Sequence, residues 1–418
     1  WTPPQLHPGG FPGTFEQAVE HLDALLTQTV SDHLLSDTPI GALLSGGLDS
    51  SLVVALMQKN HDAPVKTFSI GFDDPALDES SWAEKIARHL STDHTTFRVS
   101  AKEALNIVPR LPLIYDEPFA DSSGIPTAIV SRLARSQVTV ALSGDGGDEQ
   151  FCGYVRYWST RSLAGFLNRF PYSLKKGLAD NLTQLSPDRV YEWYRPLRPF
   201  IPQALRVENF KDKWRKLIRM LTETSVESLY RMTVCLWTRD EIKDLCDLDL
   251  SPGIFEKCFL TTTGWPVLSC LMRVDQRTYL PDAMLTKVDR ASMAAGLEVR
   301  VPLLDHRLMD FTSNLPDAFL YHEGRGKYIL QKLLSRYIPE QWINRPKMGF
   351  GVPLSRWLRN ELKPMVLDYL SPDRIRREGL FDPSIVGNIV REHVSGECDH
   401  HFRIWPLLMW QMWRQAWL

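Results

Sequence analysis

Between Ile40 and Leu142 short apolar runs alternate with stretches whose apolar residues recur at helical spacing. This alternation narrows the fold more than any other feature of the chain. Parallel neighbouring strands need crossovers of a dozen or more residues, and helices supply them. Residues 40–44, 65–72, 95–99 and 138–142 read as strands, and 49–59, 79–90, 102–113 and 125–135 as helices. A leading helix is expected over 14–35, where Phe15, Val19, Leu22, Leu25, Leu26 and Val30 share one face and Thr14 stands as N-cap. The fold class is α/β, a parallel sheet covered by helices on both faces. From about Tyr157 the pattern turns to amphipathic helices broken by prolines, so the C-terminal half is expected to be largely helical.

The first strand runs into Ser45-Gly46-Gly47-Leu48-Asp49-Ser50-Ser51. Strand, glycine turn and helix start in succession suit a phosphate. Glycine lets the backbone approach closely, and the helix start presents N–H donors and the positive end of its dipole. The hydroxyls of Ser45, Ser50 and Ser51 add hydrogen bonds, and Asp49 can hold a divalent ion against phosphates. The stretch lacks Gly-x-x-x-x-Gly-Lys-Ser/Thr, which separates it from the kinase and GTPase loop. The strand at 138–142 runs into Ser143-Gly144-Asp145-Gly146-Gly147-Asp148-Glu149. Three acids at one strand's C-terminal end repel one another, and a metal ion or a facing cationic side chain relieves them. Open parallel sheets bind their ligands at such strand ends.

A third stretch runs from Leu280 to Asp305 and carries Lys287, Asp289, Arg290, Glu298, Arg300 and Pro302. In order and spacing the three stretches resemble the synthetase domain of class B, glutamine-hydrolysing asparagine synthetases, of the ATP pyrophosphatase (PP-loop) superfamily. The match extends from about Pro39 to the final tryptophans. It implies an adenine nucleotide alpha hydrolase-like fold and an ATP-dependent ligase. Aspartate would be adenylated on its side chain with release of pyrophosphate, and ammonia would then displace AMP to give asparagine. ATP and Mg2+ are the implied cofactors. The resemblance puts pyrophosphate on Ser45, Gly46, Gly47, Ser50 and Ser51, magnesium on Asp49 and Asp148, and adenine near Leu44, Ile70, Ser143 and Gly144. Ile70 reads equally as core, and Gly71 after it fits close approach of a ligand.

Lys327, in Gly326-Lys327-Tyr328-Ile329-Leu330, matches the family lysine that faces the α-phosphate. It opens a helix with the apolar stripe Ile329, Leu330, Leu333 and Leu334, and a lysine at a helix start runs against the dipole. Lys347, in the loop 344–353, is a second phosphate-binding candidate. Asp145 stands where the family usually carries glutamate, and its arm is shorter by about one bond length. That departure bears on the acceptor, because relatives of this scaffold also activate sugar uronates, β-lactam precursors and peptides. Residues 115–123 are expected to line the acceptor pocket, with a surface turn as the alternative. A non-catalytic scaffold is the reading of another class; retention of Asp49, Asp148 and Lys327 together speaks against it.

The expected parts are a linker and leading helix at 1–35, the ATP-binding core at 36–160, a helical segment at 161–270 and a helical part at 271–418 that completes the site. Class B enzymes begin with a glutaminase domain whose N-terminal cysteine attacks glutamine. Here the sequence opens on Trp1 and its first cysteine is Cys152. The chain is expected to follow such a domain in a longer product, taking ammonia from it or from solution.

With 48 Lys and Arg against 50 Asp and Glu, the chain has no basic footprint for nucleic acid. Six dispersed cysteines without a Cys-x-x-Cys pair indicate neither a zinc ribbon nor a disulfide framework, and fit a reducing cytoplasm. The apolar end at 404–418 is interrupted by Gln411, Arg414 and Gln415, so no membrane partner is expected, while a homodimer stays open. The basic stretch 210–219 reads as a solvated face over a stripe of Trp214, Leu217, Ile218 and Leu221. Trp405, Leu408, Met409, Met412 and Trp413 read as a core stripe. Cys398, His400 and His401 are metal-capable, but in a polar stretch beside Gly396 they read as an exposed loop.

Overall fold

Thr14 starts the first helix, α1 (Phe15–His33), through a capping box: its N–H donates to Gln17 Oε1 at 2.8 Å and its hydroxyl accepts from the Gln17 N–H at 3.3 Å. Ala18, Val19, Leu22, Leu26 and Val30 are buried along one side, as the spacing requires. The computed structural model describes residue 4 and residues 10–72, 78–196, 210–343 and 351–418. The chain forms two units, one of Trp1–Val155, Gly253–Pro353 and Met409–Leu418, the other of Arg156–Pro252 and Leu354–Leu408.

In the first unit α1 is followed by β1 (Ile40–Leu43), α2 (Leu48–Lys59), β2 (Lys66–Phe72), α3 (Ser80–Leu90), β3 (Asp93–Val99), α4 (Gly124–Arg135) and β4 (Val140–Leu142). A fifth strand, β5 (Glu298–Arg300), joins from the third motif. The order is β3-β2-β1-β4-β5, with every pairing parallel. From β1 the chain steps outward to β2 and β3, then returns to lay β4 on the other flank of β1. The order therefore reverses between β1 and β4, and the loops leaving these two strands bound the crevice where such sheets take ligands. Six of the seven residues of β2 are buried, as in a parallel strand covered on both faces. Phe68, Ala134, Val138, Ala141 and Leu297 form one core cluster, backed by Leu43, Phe97 and Val299.

Three sequence expectations need correction. The helix expected at 102–113 is broken into Ala101–Leu105, a single turn at Val108–Arg110 and Leu111–Tyr115. Pro109 and Pro112 lack the N–H donors that a continuous helix would use. Leu217, assigned to a buried stripe, is 45% exposed. His400 is buried and its Nε2 lies 2.7 Å from Glu392, so it does not sit on an exposed loop. Of the expected linker at 1–13, residues 1–3 and 5–9 lie outside the described ones. Phe11 is docked, with its N–H on the Asn314 carbonyl at 2.9 Å and its ring edge-on to Phe311.

The second unit is helical, with no strand among its described residues. Ala164, Leu167 and Leu229 pack there with Leu163, Met220, Leu221 and Val226. Of the stripe expected near the end of the chain, which runs from this unit into the first, Trp405, Leu408, Met409 and Met412 are buried and Trp413 is half-buried. Among the described residues no helix is long and apolar enough to cross a membrane.

Candidate active site

Leu44 follows β1, with its N–H on the Phe68 carbonyl at 2.8 Å and its side chain buried. Gly46 follows at φ +74°, and a Cβ there would stand 2.9 Å from the Ala83 nitrogen, so both conformation and packing demand glycine. The loop braces itself. Ser50 Oγ lies 3.0 Å from Ser45 Oγ and accepts from the Ser45 N–H at 3.3 Å, while the Gly47 N–H donates to Ser45 Oγ at 3.2 Å. The hydroxyls of Ser50 and Ser51 donate to the Gly47 carbonyl at 3.2 and 2.6 Å. Of the three serines, Ser45 is the exposed one.

At the end of β4, Ser143 is buried, donates its N–H to the Arg300 carbonyl at 2.9 Å and its hydroxyl to Asp145 Oδ2 at 2.8 Å. Gly146 turns the chain at φ +82° into the short helix α5 (Gly147–Gln150), which carries Asp148 and Glu149. The two loops meet through their glycines. A Cβ on Gly144 would lie 2.6 Å from the Ser50 nitrogen, and one on Gly147 would lie 2.6 Å from the Asp49 carboxyl carbon. This close apposition brings the carboxylates of Asp49 and Asp148 to one place.

The third contributor comes from far along the chain. Lys327 precedes α6 (Tyr328–Leu334), whose Ile329, Leu330, Leu333 and Leu334 are buried. Its backbone adopts φ +56°, a left-handed conformation costly for a lysine, and its N–H donates to the Phe151 carbonyl at 2.9 Å. The ammonium is buried and pairs with Asp49 Oδ2 and, at 2.7 Å, with Asp148 Oδ1. Burial alone would push the lysine pKa down; the Asp148 and Asp49 charges outweigh it and raise it above its ordinary value, so the side chain stays charged. Of the three acids at the end of β4, it is Asp148 that this cation faces.

Asp145 makes its hydrogen bond to Ser143 rather than to this triad. Ile70 is buried inside β2, and a Cβ on Gly71 would meet Ser80 Oγ at 2.8 Å and Asp78 Oδ1 at 3.0 Å, so protein packing already accounts for that glycine. Lys347 lies outside the described residues.

Glu149 was noted in the acidic run without a role. It is 1% exposed and accepts from the Tyr154 hydroxyl at 2.7 Å. Burial first, then the charge of Asp148, pushes its carboxyl up to about 7, against the lowering pull of Tyr154. Within residues 115–123, Tyr115 and Phe119 are buried and stack at 4.4 Å, while Asp116 and Glu117 are exposed. Asp121 pairs with Lys287 at 3.3 Å and Asp116 with Arg290 at 3.1 Å, which ties the stretch to the third motif. Burial raises the Asp121 carboxyl, but Lys287 and Ser123 together hold it below its ordinary value.

A sequence model of the asparagine synthase family matches residues 21–415. The chain belongs to the asparagine synthase family. Asparagine synthetase [glutamine-hydrolyzing] 1 of Bacillus subtilis (strain 168) is 29% identical over 95% of this chain and 59% of its own length. Asparagine synthetase [glutamine-hydrolyzing] of Bos taurus is 24% identical over 86% of this chain and 48% of its own length. A further similar protein, Amidase chyE of Penicillium rubens, is 23% identical over 88% of this chain and 57% of its own length. The chain thus spans no more than about three fifths of these relatives.

Proposed function

We propose that this chain is the synthetase part of a glutamine-hydrolysing asparagine synthetase. It joins the aspartate side-chain carboxylate to the α-phosphate of ATP with loss of pyrophosphate, then exchanges AMP for ammonia to give asparagine. The observation that carries this reading is the convergence of Asp49, Asp148 and Lys327 at the switch point between β1 and β4.

The donor set suits the implied group. Two carboxylates from facing loops offer the hard oxygens that Mg2+ prefers, beside the N-terminus of the twelve-residue α2, which favours phosphate. Mg2+ held by Asp49 and Asp148 would neutralise phosphate oxygens as charge builds on them. Ser45, Gly46, Gly47, Ser50 and Ser51 hold the leaving pyrophosphate. Leu44, Ile70, Ser143 and Gly144 border the adenine. In adenylation an aspartate oxygen forms a bond to the α-phosphorus while the bond to the β-phosphate oxygen breaks. Lys327 supplies a fixed charge at the α-phosphoryl oxygens from a buried position, where such an interaction is strongest. Lys347 is the second phosphate contact, and Asp145 faces the acceptor side. In the second step ammonia forms the C–N bond as the C–O bond to AMP breaks. Ammonia comes from a glutaminase domain outside these 418 residues, or from solution.

The test is pyrophosphate release from ATP and Mg2+ with ammonium and a panel of carboxylates. Aspartate-dependent pyrophosphate, AMP and asparagine are expected; release of ADP and phosphate overturns the reading. A second reading keeps the adenylation and changes the carboxylate. Asp145 in place of the family's glutamate favours it, and stimulation by another member of the panel, with none by aspartate, would select it.

A further inference from the structure

In the second unit, the end of the helix Pro383–Ser395 and the loop after it gather Glu392, Cys398 and His400. One ligand atom from each lies within 4.8 Å of the others. We propose that these three residues form a binding site for a Zn2+ ion, separate from the nucleotide chemistry. A thiolate sulfur, an imidazole nitrogen and a carboxylate oxygen make a zinc donor set, whereas Mg2+ and Ca2+ take oxygen throughout. Three protein ligands leave the fourth tetrahedral position to water.

The loop is built to hold this arrangement. Gly396 ends the helix at φ +80° and turns the chain back. The Cys398 N–H then donates to the Glu392 carbonyl at 3.1 Å, and the His400 N–H donates to His393 Nδ1 at 3.1 Å. Between them Asp399 accepts from the Ser355 hydroxyl and from the His401 ring, both at 2.8 Å. These bonds fix the backbone on which Cys398 and His400 stand. His400 is buried while Glu392 and Cys398 are half-buried, which shelters an ion yet leaves it a way in. His393 beside them is fully buried, and its Nε2 has no hydrogen-bond partner among the described residues. This end of the helix therefore holds more polar capacity than its protein partners use.

The His400–Glu392 pair needs little adjustment. His400 Nε2 lies 2.7 Å from Glu392 Oε2, a distance bridged by a proton. Zinc at about 2.0–2.2 Å from nitrogen and oxygen and about 2.3 Å from sulfur requires donors roughly 3.3–3.6 Å apart. The carboxylate must therefore withdraw by roughly 0.6–0.9 Å, within reach of a small change in side-chain torsion.

The intact chain, stripped with chelator and titrated with Zn2+ alone, should take up one ion. Zn2+ should also shield Cys398 from iodoacetamide while the exposed Cys235 still reacts, as read by peptide mass spectrometry. Co2+ in place of zinc should show thiolate-to-metal absorption and tetrahedral ligand-field bands, and Cys398→Ser should lose the thiolate absorption. Equal alkylation of Cys398 with and without Zn2+ would overturn the site and leave a simple His400–Glu392 hydrogen bond beside a thiol. Thiolate absorption that persists in Cys398→Ser would overturn it as well. The alkylation measurement uses the unaltered protein, so it decides the matter even where the variant folds poorly.

Discussion

Gly153 touches no substrate in the proposed mechanism, yet its replacement should disable the site. A Cβ at this position would stand 2.0 Å from Asp148 Oδ1 and 2.1 Å from Lys327 Cε, where ordinary contact begins at 3.4 Å. Asp148 and Lys327 would each have to retreat by more than about 1 Å. The glycine cannot move aside instead, because its N–H is held on the Asp148 carbonyl at 2.8 Å and the same Cβ would lie 2.8 Å from the Asp148 Cα. Misplacement of catalytic groups by about 1 Å slows turnover about a hundredfold, or about 2.7 kcal/mol of barrier. Gly153→Ala should therefore cut aspartate-dependent pyrophosphate release by about that factor while the far-ultraviolet circular dichroism is kept. Gly177→Ala is the control. It lies within the helix Tyr172–Thr183 with nothing within 4 Å of its Cβ, and alanine there should stabilise by about 0.5–1 kcal/mol. A Gly153→Ala enzyme turning over within about threefold of wild type would refute the packing argument and the role given to the Asp148–Lys327 pair.

Asp49→Asn and Asp148→Asn should each abolish pyrophosphate release with the fold intact, since Lys327 keeps one carboxylate partner in either variant; near-normal turnover at saturating Mg2+ would remove the metal role. Lys327→Ala should lower kcat by roughly a hundred- to a thousand-fold with the KM for ATP nearly unchanged. Lys327→Arg should rescue it only in part, because a planar fork does not replace a compact ammonium; a rise in KM alone would pass the catalytic role to Lys347. Glu149 has its folded-state pKa raised to about 7 from 4.5, so its proton-linked stabilisation is full below about 4.5 and is lost as pH rises through about 7. Urea unfolding across that interval should show a decline of about 3 kcal/mol in wild type that Glu149→Gln removes; equal slopes in the two proteins would sink the assignment.

The strands β1, β2 and β4 were legible because each is an apolar run next to turn residues, whereas β3 (Asp93–Val99), with only Phe97 and Val99 apolar, was legible from β-branched and aromatic residues at 95–99 alone. β5 was not, since Glu298-Val299-Arg300 holds one apolar residue between two charges and carries no period; only pairing with β4 makes it a strand. The broken helix after residue 101 shows the limit of apolar spacing, which ignores the donors missing at Pro109 and Pro112. The glycine loops announced themselves locally. The meeting of Lys327 with Asp49, 278 positions apart, left no mark in composition or periodicity and was foreseen through likeness to a family. The burial of Glu149 was not legible, because nothing in an acidic run tells which carboxylate the fold will bury.

The backbone of Lys327 carries a different kind of consequence. A lysine held in a left-handed conformation costs roughly 1–2 kcal/mol that glycine would not. That strain is outweighed where it stands, because glycine at 327 would leave the largely buried carboxylates of Asp49 and Asp148 facing each other without a cation, a loss on the order of 3–5 kcal/mol. Variants selected for surviving heat should therefore keep lysine at 327 unless Asp49 or Asp148 is lost with it, and sequencing the survivors would show whether the three positions change together.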